Sequence, residues 1–181
     1  MTNSQDLVKR YNGMKFKTKE PILDIGGADG RFLESQGIEQ ATIFEGTKFS
    51  DGKYKYIQGD ATKKLPDFGK KFGTIFLMEI LEHLKNPLYL MAQVYDLLKD
   101  EGVCYVAVPY DLSHPQHVQV WTKKQIINQM SKLGFIPKVI QSRRRFKGLG
   151  FWLPHCWLVL ELKKRKFNST LRNIKDYKLE I

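Results

Sequence analysis

Strand-like and helix-like segments alternate along the sequence from residue 21 to residue 162, and this alternation restricts the fold more than any other feature. Five short apolar segments have the length and composition of buried strands, and they are 21–25, 41–45, 54–58, 74–78 and 103–108. Segments with helical periodicity follow the first, fourth and fifth of these strands, at 31–36, 86–98 and 122–133. Such an order is typical of an α/β domain with a parallel sheet.

The end of this region departs from the alternation. Residues 135–141 and 156–162 are two further strand-like segments with no helix-length insert between them, so we expect an antiparallel hairpin. Residues 46–53, between the second and third strands, are near or below the usual minimum for a parallel crossover, which predicts a turn or loop there. The predicted fold is therefore an α/β domain with a seven-stranded, mostly parallel, doubly wound sheet that an antiparallel C-terminal hairpin closes.

Length and composition indicate one globular domain over residues 1–181, with a core at about 20–162 and a basic tail at 163–181. Hydrophobic residues make up 42% of the chain, and no apolar stretch reaches the roughly 20 residues of a membrane-spanning helix. Cys104 and Cys156 are too few for a disulfide framework, and residues 1–12 lack the apolar core of a signal peptide. We therefore expect a cytoplasmic location.

The net charge of +11 is concentrated in the C-terminal quarter of the sequence. Residues 1–137 carry 18 Lys+Arg and 16 Asp+Glu, a net of +2, whereas residues 138–181 carry 12 and 3, a net of +9. Basic clusters stand at 143–147 and 163–166, and the first leads into an apolar aromatic segment at 148–154. RNA, an anionic membrane surface or an amphipathic acceptor can bind such a combination. Alternatively, the aromatic residues cap the core while the arginines are solvated.

A glycine-rich turn, Gly26-Gly27-Ala28-Asp29-Gly30, follows the first strand and precedes a helix. This arrangement lets the backbone approach a nucleotide closely at the carboxyl edge of a parallel sheet. The dinucleotide fingerprint would need glycine at positions 28 and 31, where Ala28 and Arg31 stand, and this disfavours an NAD site. The carboxylates of Asp24 and Asp29 instead suit a ligand that carries positive charge.

Acidic residues follow the next two strands as well. Glu45 ends the second strand 19 residues after Gly26, where an acidic side chain can accept hydrogen bonds from both hydroxyls of a ribose. Asp60, in Gly59-Asp60-Ala61 after the third strand, is placed to accept from the amino group of an adenine. Three carboxylates at three successive strand ends are a more specific signal than the glycines, although a plain connecting turn with scattered surface acids is the alternative.

These motifs resemble those of the class I S-adenosylmethionine-dependent methyltransferases. Residues 22–30 look like the first motif of that family, Glu45 like its ribose-binding acid, and residues 59–61 like its adenine contact. The resemblance covers about residues 20–162 and implies S-adenosyl-L-methionine as the cofactor. The cofactor-binding residues that it implies are Asp24, Gly26, Gly27, Ala28, Asp29, Gly30, Glu45, Gly46, Asp60, Ala61 and Met78.

After the fourth strand, Glu79, Glu82 and His83 stand at positions i, i+3 and i+4, and they share one face if a helix begins just after Met78. In one interpretation the carboxylates complement the helix N-terminus while His83 packs at the pocket wall. In a second, His83 acts with Glu79 and with His117, from beyond the fifth strand, as the catalytic group that addresses a substrate hydroxyl.

A third interpretation is a metal site in which Glu79, Glu82, His83 and His117 hold Mg²⁺ or Mn²⁺. The segment looks like the Glu-x-x-Glu-His motif of the ubiquinone-pathway O-methyltransferases and of the small-RNA 3′-terminal 2′-O-methyltransferases, in which a later histidine completes the site. Many small-molecule methyltransferases carry a similar Leu-Glu-His stretch without a metal, so the three interpretations remain open at this point.

The resemblance implies a single-domain methyltransferase, and the histidines at the presumed pocket favour oxygen over nitrogen as the methyl acceptor. A small hydroxylated or amphipathic metabolite is the first expectation for the acceptor. An RNA 2′-hydroxyl is the second, because the charge supports it although no RNA-binding module is appended. From another class of function, the chain would be a non-catalytic S-adenosylmethionine-binding subunit that serves a partner through its basic tail.

Overall fold

Seven strands form one sheet in the computed structural model, which describes residues 4–47, 53–109, 116–143 and 157–165. The strands are β1 Ile22–Ile25, β2 Thr42–Glu45, β3 Lys55–Gln58, β4 Phe72–Met78, β5 Leu98–Pro109, β6 Phe135–Arg143 and β7 Trp157–Lys164. The helices are α1 Ser4–Arg10, α2 Arg31–Ser35, α3 Pro87–Leu97 and α4 Lys123–Lys132, with a 3-10 turn at Leu81–His83. Their order along the chain confirms the predicted α/β class.

The order of strands across the sheet is β3-β2-β1-β4-β5-β7-β6. The first five strands are all parallel to one another, whereas β7 lies antiparallel to both β5 and β6. This confirms the mostly parallel, doubly wound sheet with an antiparallel C-terminal hairpin. β6 therefore runs in the same direction as the first five strands, and β7 lies between β5 and β6 although it comes last in the sequence.

Hydrophobic side chains cover both faces of the sheet. On one face α3 and α4 contribute Leu90 and Ile126 to a large buried cluster with Leu77 of β4. On the other face Leu7 of α1 and Phe32 of α2 join a second cluster, in which Phe32 packs edge-on against Phe76 of β4. Because strand side chains alternate between faces and both faces are covered, β4 is buried along its whole length, and its one polar side chain, Thr74, exchanges hydrogen bonds with the backbone of Lys19.

Local sequence signals account for the ends of the longer helices. α3 begins with Pro87 in its first turn, and the side chain of Asn86 accepts a hydrogen bond of 3.2 Å from the backbone N–H of Tyr89. α4 begins with a capping box in which the side chains of Thr122 and Gln125 each accept from the other's backbone N–H. These caps place both helices close to the predicted bounds.

Three local predictions differ from the structure or cannot be compared with it. α1 is absent from the prediction, because seven residues with one buried leucine, Leu7, are too short to show helical periodicity. No regular helix starts just after Met78, because Glu79 adopts a positive φ of 59° and only the 3-10 turn follows. Residues 48–52 of the shortened crossover, like 144–156 and the tail from residue 166, lie outside the described residues.

Since β1 to β5 are parallel, the residues that follow them meet at one edge of the sheet. The glycine turn, Glu45, Asp60 and Glu79 all lie at this carboxyl edge, in the spatial order β3, β2, β1, β4 from Asp60 to Glu79. Ligands of open α/β sheets bind at this edge. In the described ranges, no helix is both long and apolar enough to cross a membrane.

Candidate active site

A cavity of about 520 Å³ lies at the carboxyl edge of the sheet, within the size range of small-molecule sites. Its wall is built from the ends of β1, β2, β3 and β4, from the 3-10 turn and from Leu7 of α1. Seven residues predicted to bind the cofactor line it, and they are Gly26, Ala28, Glu45, Gly46, Asp60, Ala61 and Met78. The predicted catalytic residues Glu79 and His83 line it as well.

The glycine turn has a backbone conformation that few residues other than glycine adopt. Gly26 has a φ of 79°, and its N–H donates a hydrogen bond of 2.9 Å to the carbonyl oxygen of Phe44, so β1 and β2 are joined at the cavity. A Cβ on Gly27 would lie 2.5 Å from Oδ2 of Asp24. Ala28, which stands where the dinucleotide fingerprint has glycine, takes a φ of 48° and thus keeps the glycine-like turn at a cost in strain.

Glu45 is held in place by backbone N–H groups from two sides. Its Oε2 accepts a hydrogen bond of 3.1 Å from the N–H of Ala28, and its Oε1 accepts one of 2.7 Å from the N–H of Gly46. The carboxylate therefore has a fixed orientation at the end of β2. Oxygens fixed in this way retain lone pairs that can accept from the hydroxyls of a ribose.

Asp60 occupies an exposed turn after β3. Its Oδ1 accepts hydrogen bonds of 2.8 Å from the N–H and 2.6 Å from the hydroxyl of Thr62, and these hydrogen bonds, helped by Lys63 nearby, hold the pKa of Asp60 below its usual value. The side chain is therefore an ionised acceptor at physiological pH. It lies at the β3 side of the cavity.

Four residues predicted to bind the cofactor do not line the cavity: Asp24, Gly27, Asp29 and Gly30. Asp24 lies buried beneath Gly27, and burial, with a smaller contribution from Glu45, raises the pKa of Asp24 to about 8. Within the described part of the chain, its Oδ2 has no hydrogen-bond partner. Asp29 pairs with Arg31 at 3.2 Å, and Gly30 is the N-cap residue directly before α2.

The prediction that Glu79, Glu82 and His83 share one helical face is wrong. The positive φ of Glu79 turns its side chain toward the N-terminal segment, where one carboxylate oxygen accepts a hydrogen bond of 2.6 Å from the hydroxyl of Tyr11 and the other pairs with Arg10. Glu79 is thus separated from the predicted metal ligands by its own ion pair. Its charge is balanced by a guanidinium from α1.

The other three predicted metal ligands do come together. Ligand atoms of Glu82, His83 and His117 all lie within 4.8 Å of one another, and the two imidazole rings pack edge to face with centroids 5.1 Å apart. The backbone carbonyl of Glu82 accepts a hydrogen bond of 2.9 Å from the N–H of Val118. This bond holds the segment after β5, and with it His117, against the 3-10 turn.

Glu82 is the most unusual member of this cluster. It is fully buried, burial raises its pKa to about 8, and in the described ranges neither carboxylate oxygen makes a hydrogen bond. Nε2 of His83 lies 3.9 Å from Oε1 of Glu82. Nδ1 of His83 lies 3.1 Å from the carbonyl oxygen of Gln116, so in the neutral ring Nδ1 carries the hydrogen and Nε2 has the lone pair.

The donor set fits a divalent cation. Buried carboxylate oxygens without hydrogen bonds need a positive partner, and an imidazole whose second nitrogen donates to a backbone carbonyl is the usual arrangement of a metal-ligating histidine. Three protein ligands leave positions open for other groups, and two imidazoles favour transition metals over Mg²⁺. The residues that fit are Glu82, His83 and His117, without Glu79.

The sequence did not point to several residues at this site. Leu7 and Arg10 belong to α1, which the sequence did not predict, and Tyr11 follows that helix directly. The contacts of these residues with Glu79 and the cavity depend on tertiary packing. Gln116 lines the cavity next to His117. The one signal for Gln116 in the sequence is its position next to His117.

Residues 4–142 match the family described as Methyltransferase domain. A comparison with curated proteins finds none that matches the chain.

Several solved structures have the same fold. A Haloferax volcanii protein crystallised in complex with the Trm112 methyltransferase activator has a TM-score of 0.66 and 15% identity, with 92% of this chain and 90% of that chain covered. The glycopeptide N-methyltransferase MtfA has a TM-score of 0.61 and 15% identity, with 90% of each chain covered. The 1,6-didemethyltoxoflavin-N1-methyltransferase of Burkholderia thailandensis has a TM-score of 0.62 and 16% identity, with 90% of this chain and 78% of that chain covered. At these identities the similarity establishes the fold.

Proposed function

We propose that this chain, which belongs to the methyltransferase-domain family and is an S-adenosylmethionine-dependent enzyme of class I, methylates a hydroxyl oxygen of a small hydroxylated or amphipathic acceptor. The observation that carries this proposal is the imidazole of His83, which lines the cavity beside the end of β4, with the ring of His117 packed edge-on against it from outside the cavity lining. A hydroxyl must lose its proton as it takes up the methyl group, and a neutral imidazole is the side chain best suited to accept it near pH 7.

The cavity supports one orientation of the cofactor. Asp60 at the end of β3 accepts from the adenine amino group, Glu45 at the end of β2 accepts from the ribose hydroxyls, and the glycine turn above Asp24 holds the methionine portion. The acidic character of this wall suits a ligand with a positively charged sulfonium. The methyl group then lies toward β4, near Met78 and His83.

When bound, the cofactor supplies an electrophilic methyl group on its sulfonium sulfur. The chain contributes by orienting both reactants and by excluding water, which is how most of the acceleration of an in-line displacement arises. Apolar side chains, among them Leu7, Ile80 and Leu84, line the acceptor side of the cavity. Because Nδ1 of His83 donates to the backbone carbonyl of Gln116, the nitrogen that takes the proton is Nε2, a buried atom on the side of the ring toward Glu82.

A metal-dependent form of the same reaction is supported by the buried carboxylate of Glu82. In this form Glu82, His83 and His117 hold Mg²⁺ or Mn²⁺, whose positive charge would lower the pKa of an acceptor hydroxyl. Nε2 of His83 cannot bind the metal and take the proton at the same time. The two forms therefore exclude each other and are separated by experiment.

The test is methyl transfer by the purified chain to a panel of phenols, diols and amines, with and without EDTA or Mn²⁺. We expect O-methylated products from the wild type and a loss of at least tenfold in kcat for His83→Ala and His117→Ala. Gln40→Ala, at an exposed position, serves as the control. N-methylated products alone, or full turnover in both histidine variants, would overturn the proposal. Turnover that is unchanged by EDTA and by Mn²⁺ would remove the metal-dependent form.

An RNA 2′-hydroxyl remains the alternative acceptor, and the position of the basic clusters bears on it. Lys163, in register with Ile136 near the start of β6, lies at the edge of the sheet opposite the cavity, as do Lys164 and Arg165. Arg143, in register with Trp157 at the end of β6, lies at the same edge of the sheet as the cavity. Binding of a short RNA that persists near physiological salt, together with its methylation, would favour RNA over a metabolite.

A further inference from the structure

We propose that Arg10 binds the carboxylate of the methionine portion of the cofactor and that Glu79 and Tyr11 position Arg10 for this task. The inference rests on the proposed binding of S-adenosylmethionine in the cavity and adds a residue that neither the family motifs nor the cavity lining includes. It assigns a role in ligand recognition to α1, whose sequence carries no cofactor-binding motif.

α1 brings Arg10 to the wall of the cavity. Leu7 lines the cavity, and Arg10 lies three residues later, on the same face of the helix. The guanidinium of Arg10 contacts the carboxylate of Glu79, which itself lines the cavity. The side chain of Arg10 is only 12% exposed, so its charge is directed into the protein.

The acidic lining of the cavity makes a positively charged group necessary near the carboxylate of the ligand. Within the described residues, the cavity is lined by three acidic side chains, Glu45, Asp60 and Glu79, and by neither lysine nor arginine. These acids suit the sulfonium and the ammonium group of the ligand, but its carboxylate would be repelled by them. A cation in contact with the wall is therefore needed where the carboxylate lies.

In the part of the chain that the structure describes, two cations form ion pairs with these acids, and they stand at opposite ends of the cavity. Lys63 pairs with Asp60 at 3.7 Å and is 77% exposed, on the side assigned to the adenine. Arg10 pairs with Glu79 at the end of β4. Because the adenosine portion lies over β3 and β2, the rest of the ligand extends over β1 and toward β4, which brings its carboxylate to the side of Arg10.

The surroundings of Arg10 hold its guanidinium in one orientation. Its central carbon lies 5.5 Å from the centroid of the Trp157 ring, and Tyr11, which donates to the other oxygen of Glu79, packs edge-on against the same ring. A guanidinium carries five N–H donors in a planar fork and can serve two carboxylates at once. Glu79 and Tyr11 therefore prepare the geometry before the ligand binds, which lowers the entropy cost of binding.

The experiment compares S-adenosylhomocysteine with its decarboxylated analogue by calorimetry on the full chain. We expect the wild type to bind S-adenosylhomocysteine at least tenfold more tightly than the analogue, because charge-assisted hydrogen bonds to the carboxylate contribute a factor of this size to the affinity. In Arg10→Met the two affinities should differ by no more than about twofold. Arg10→Lys retains part of the preference, since an ammonium keeps the charge without the fork. Lys9→Met, on the exposed neighbour in the same helix, is the matched control and leaves the preference unchanged.

Glu79→Gln tests the positioning role, and it should reduce the preference without abolishing affinity for the decarboxylated analogue. If Arg10→Met weakens both ligands by the same factor, Arg10 acts only by docking α1, and the inference is overturned. It is likewise overturned if the preference survives in Arg10→Met. A wild type that binds neither ligand would instead overturn the proposed function, so the two failures are distinguishable.

Discussion

The backbone N–H of Ala28 donates a hydrogen bond of 3.1 Å to Oε2 of Glu45 and thereby ties the turn after β1 to the acidic end of β2. The N–H of Gly46 donates to the second oxygen of the same carboxylate at 2.7 Å. Both oxygens are therefore fixed by the backbone before any ligand enters the cavity. Fixed acceptors of this kind are stronger ligand-binding groups than mobile ones, because less conformational entropy is lost on binding.

Glu45→Gln should weaken S-adenosylhomocysteine binding by about tenfold or more, because a side-chain amide cannot accept at both atoms and hydrogen bonds to a charged group contribute about 1.5–3 kcal/mol. The measurement is a calorimetric titration of the variant and the wild type. Glu39→Gln, on an exposed glutamate that pairs with Lys53, is the control. Equal affinities of Glu45→Gln and the wild type would remove Glu45 from the cofactor site.

Asp24→Asn should stabilise the ligand-free protein more as the pH rises. The pKa of Asp24 is raised to about 8 by burial, so between about pH 4 and pH 8 the native state keeps a proton that the unfolded state has lost, and the free energy of unfolding falls through this range. An asparagine removes this dependence. Urea midpoints of both proteins at pH 5, 7 and 9 give the difference, with Asp67→Asn at an exposed turn as the control. A difference that is constant from pH 5 to pH 9 would contradict this account.

Gly27→Ala should destabilise the fold by about 1–3 kcal/mol, since its Cβ would lie 2.5 Å from a buried oxygen of Asp24 that has little freedom to move. Gly46→Ala is the matched control, because its Cβ would lie 3.7 Å from the nearest atom, in ordinary van der Waals contact. Chemical denaturation of the two variants measures both effects. Equal midpoints would show that the turn can relax around the added methyl group.

Glu82→Gln should abolish stabilisation by a divalent cation if Glu82, His83 and His117 form a metal site. Mn²⁺ at about 100 times its Kd stabilises a folded protein by about 2.7 kcal/mol, which for a chain of this size raises Tm by about 5–11 °C. Thermal unfolding with and without Mn²⁺ tests the wild type, Glu82→Gln and the exposed control Glu34→Gln. A wild type whose Tm does not respond to Mn²⁺ would remove the metal from the mechanism.

The strands and the longer helices were predictable because their signals are local. The apolar residues of β4 and the caps at Asn86 and Thr122 are readable within a few residues, and β4, α3 and α4 lie within two residues of their predicted bounds. The start of β5 was harder to place, because the strand begins at Leu98, five residues before the predicted position 103. Residues 99–102 lie at the start of β5, where the pairing with β4 shifts between Phe72 and Thr74, and no local signal indicates such a shift.

The site was predictable where one strand end supplies one group, and not where two distant segments meet. Glu45 and Asp60 follow their strands and line the cavity as expected. The direction of the Glu79 side chain depends on a positive φ and on an ion pair with Arg10, which is 69 residues away in sequence. A spacing of i, i+3 and i+4 is informative only inside a regular helix, and here the chain forms only a 3-10 turn.

The position of β7 between β5 and β6 also affects the order of events during synthesis. β6 has β7 as its one neighbour in the sheet, so its backbone groups cannot pair until residues as far as 164 have been made. At about 5–20 residues per second, the 30 residues from 135 to 164 take about 1.5–6 s, during which β5 and β6 both present open edges to other chains. The growing polypeptide is therefore exposed to aggregation at these edges until β7 emerges.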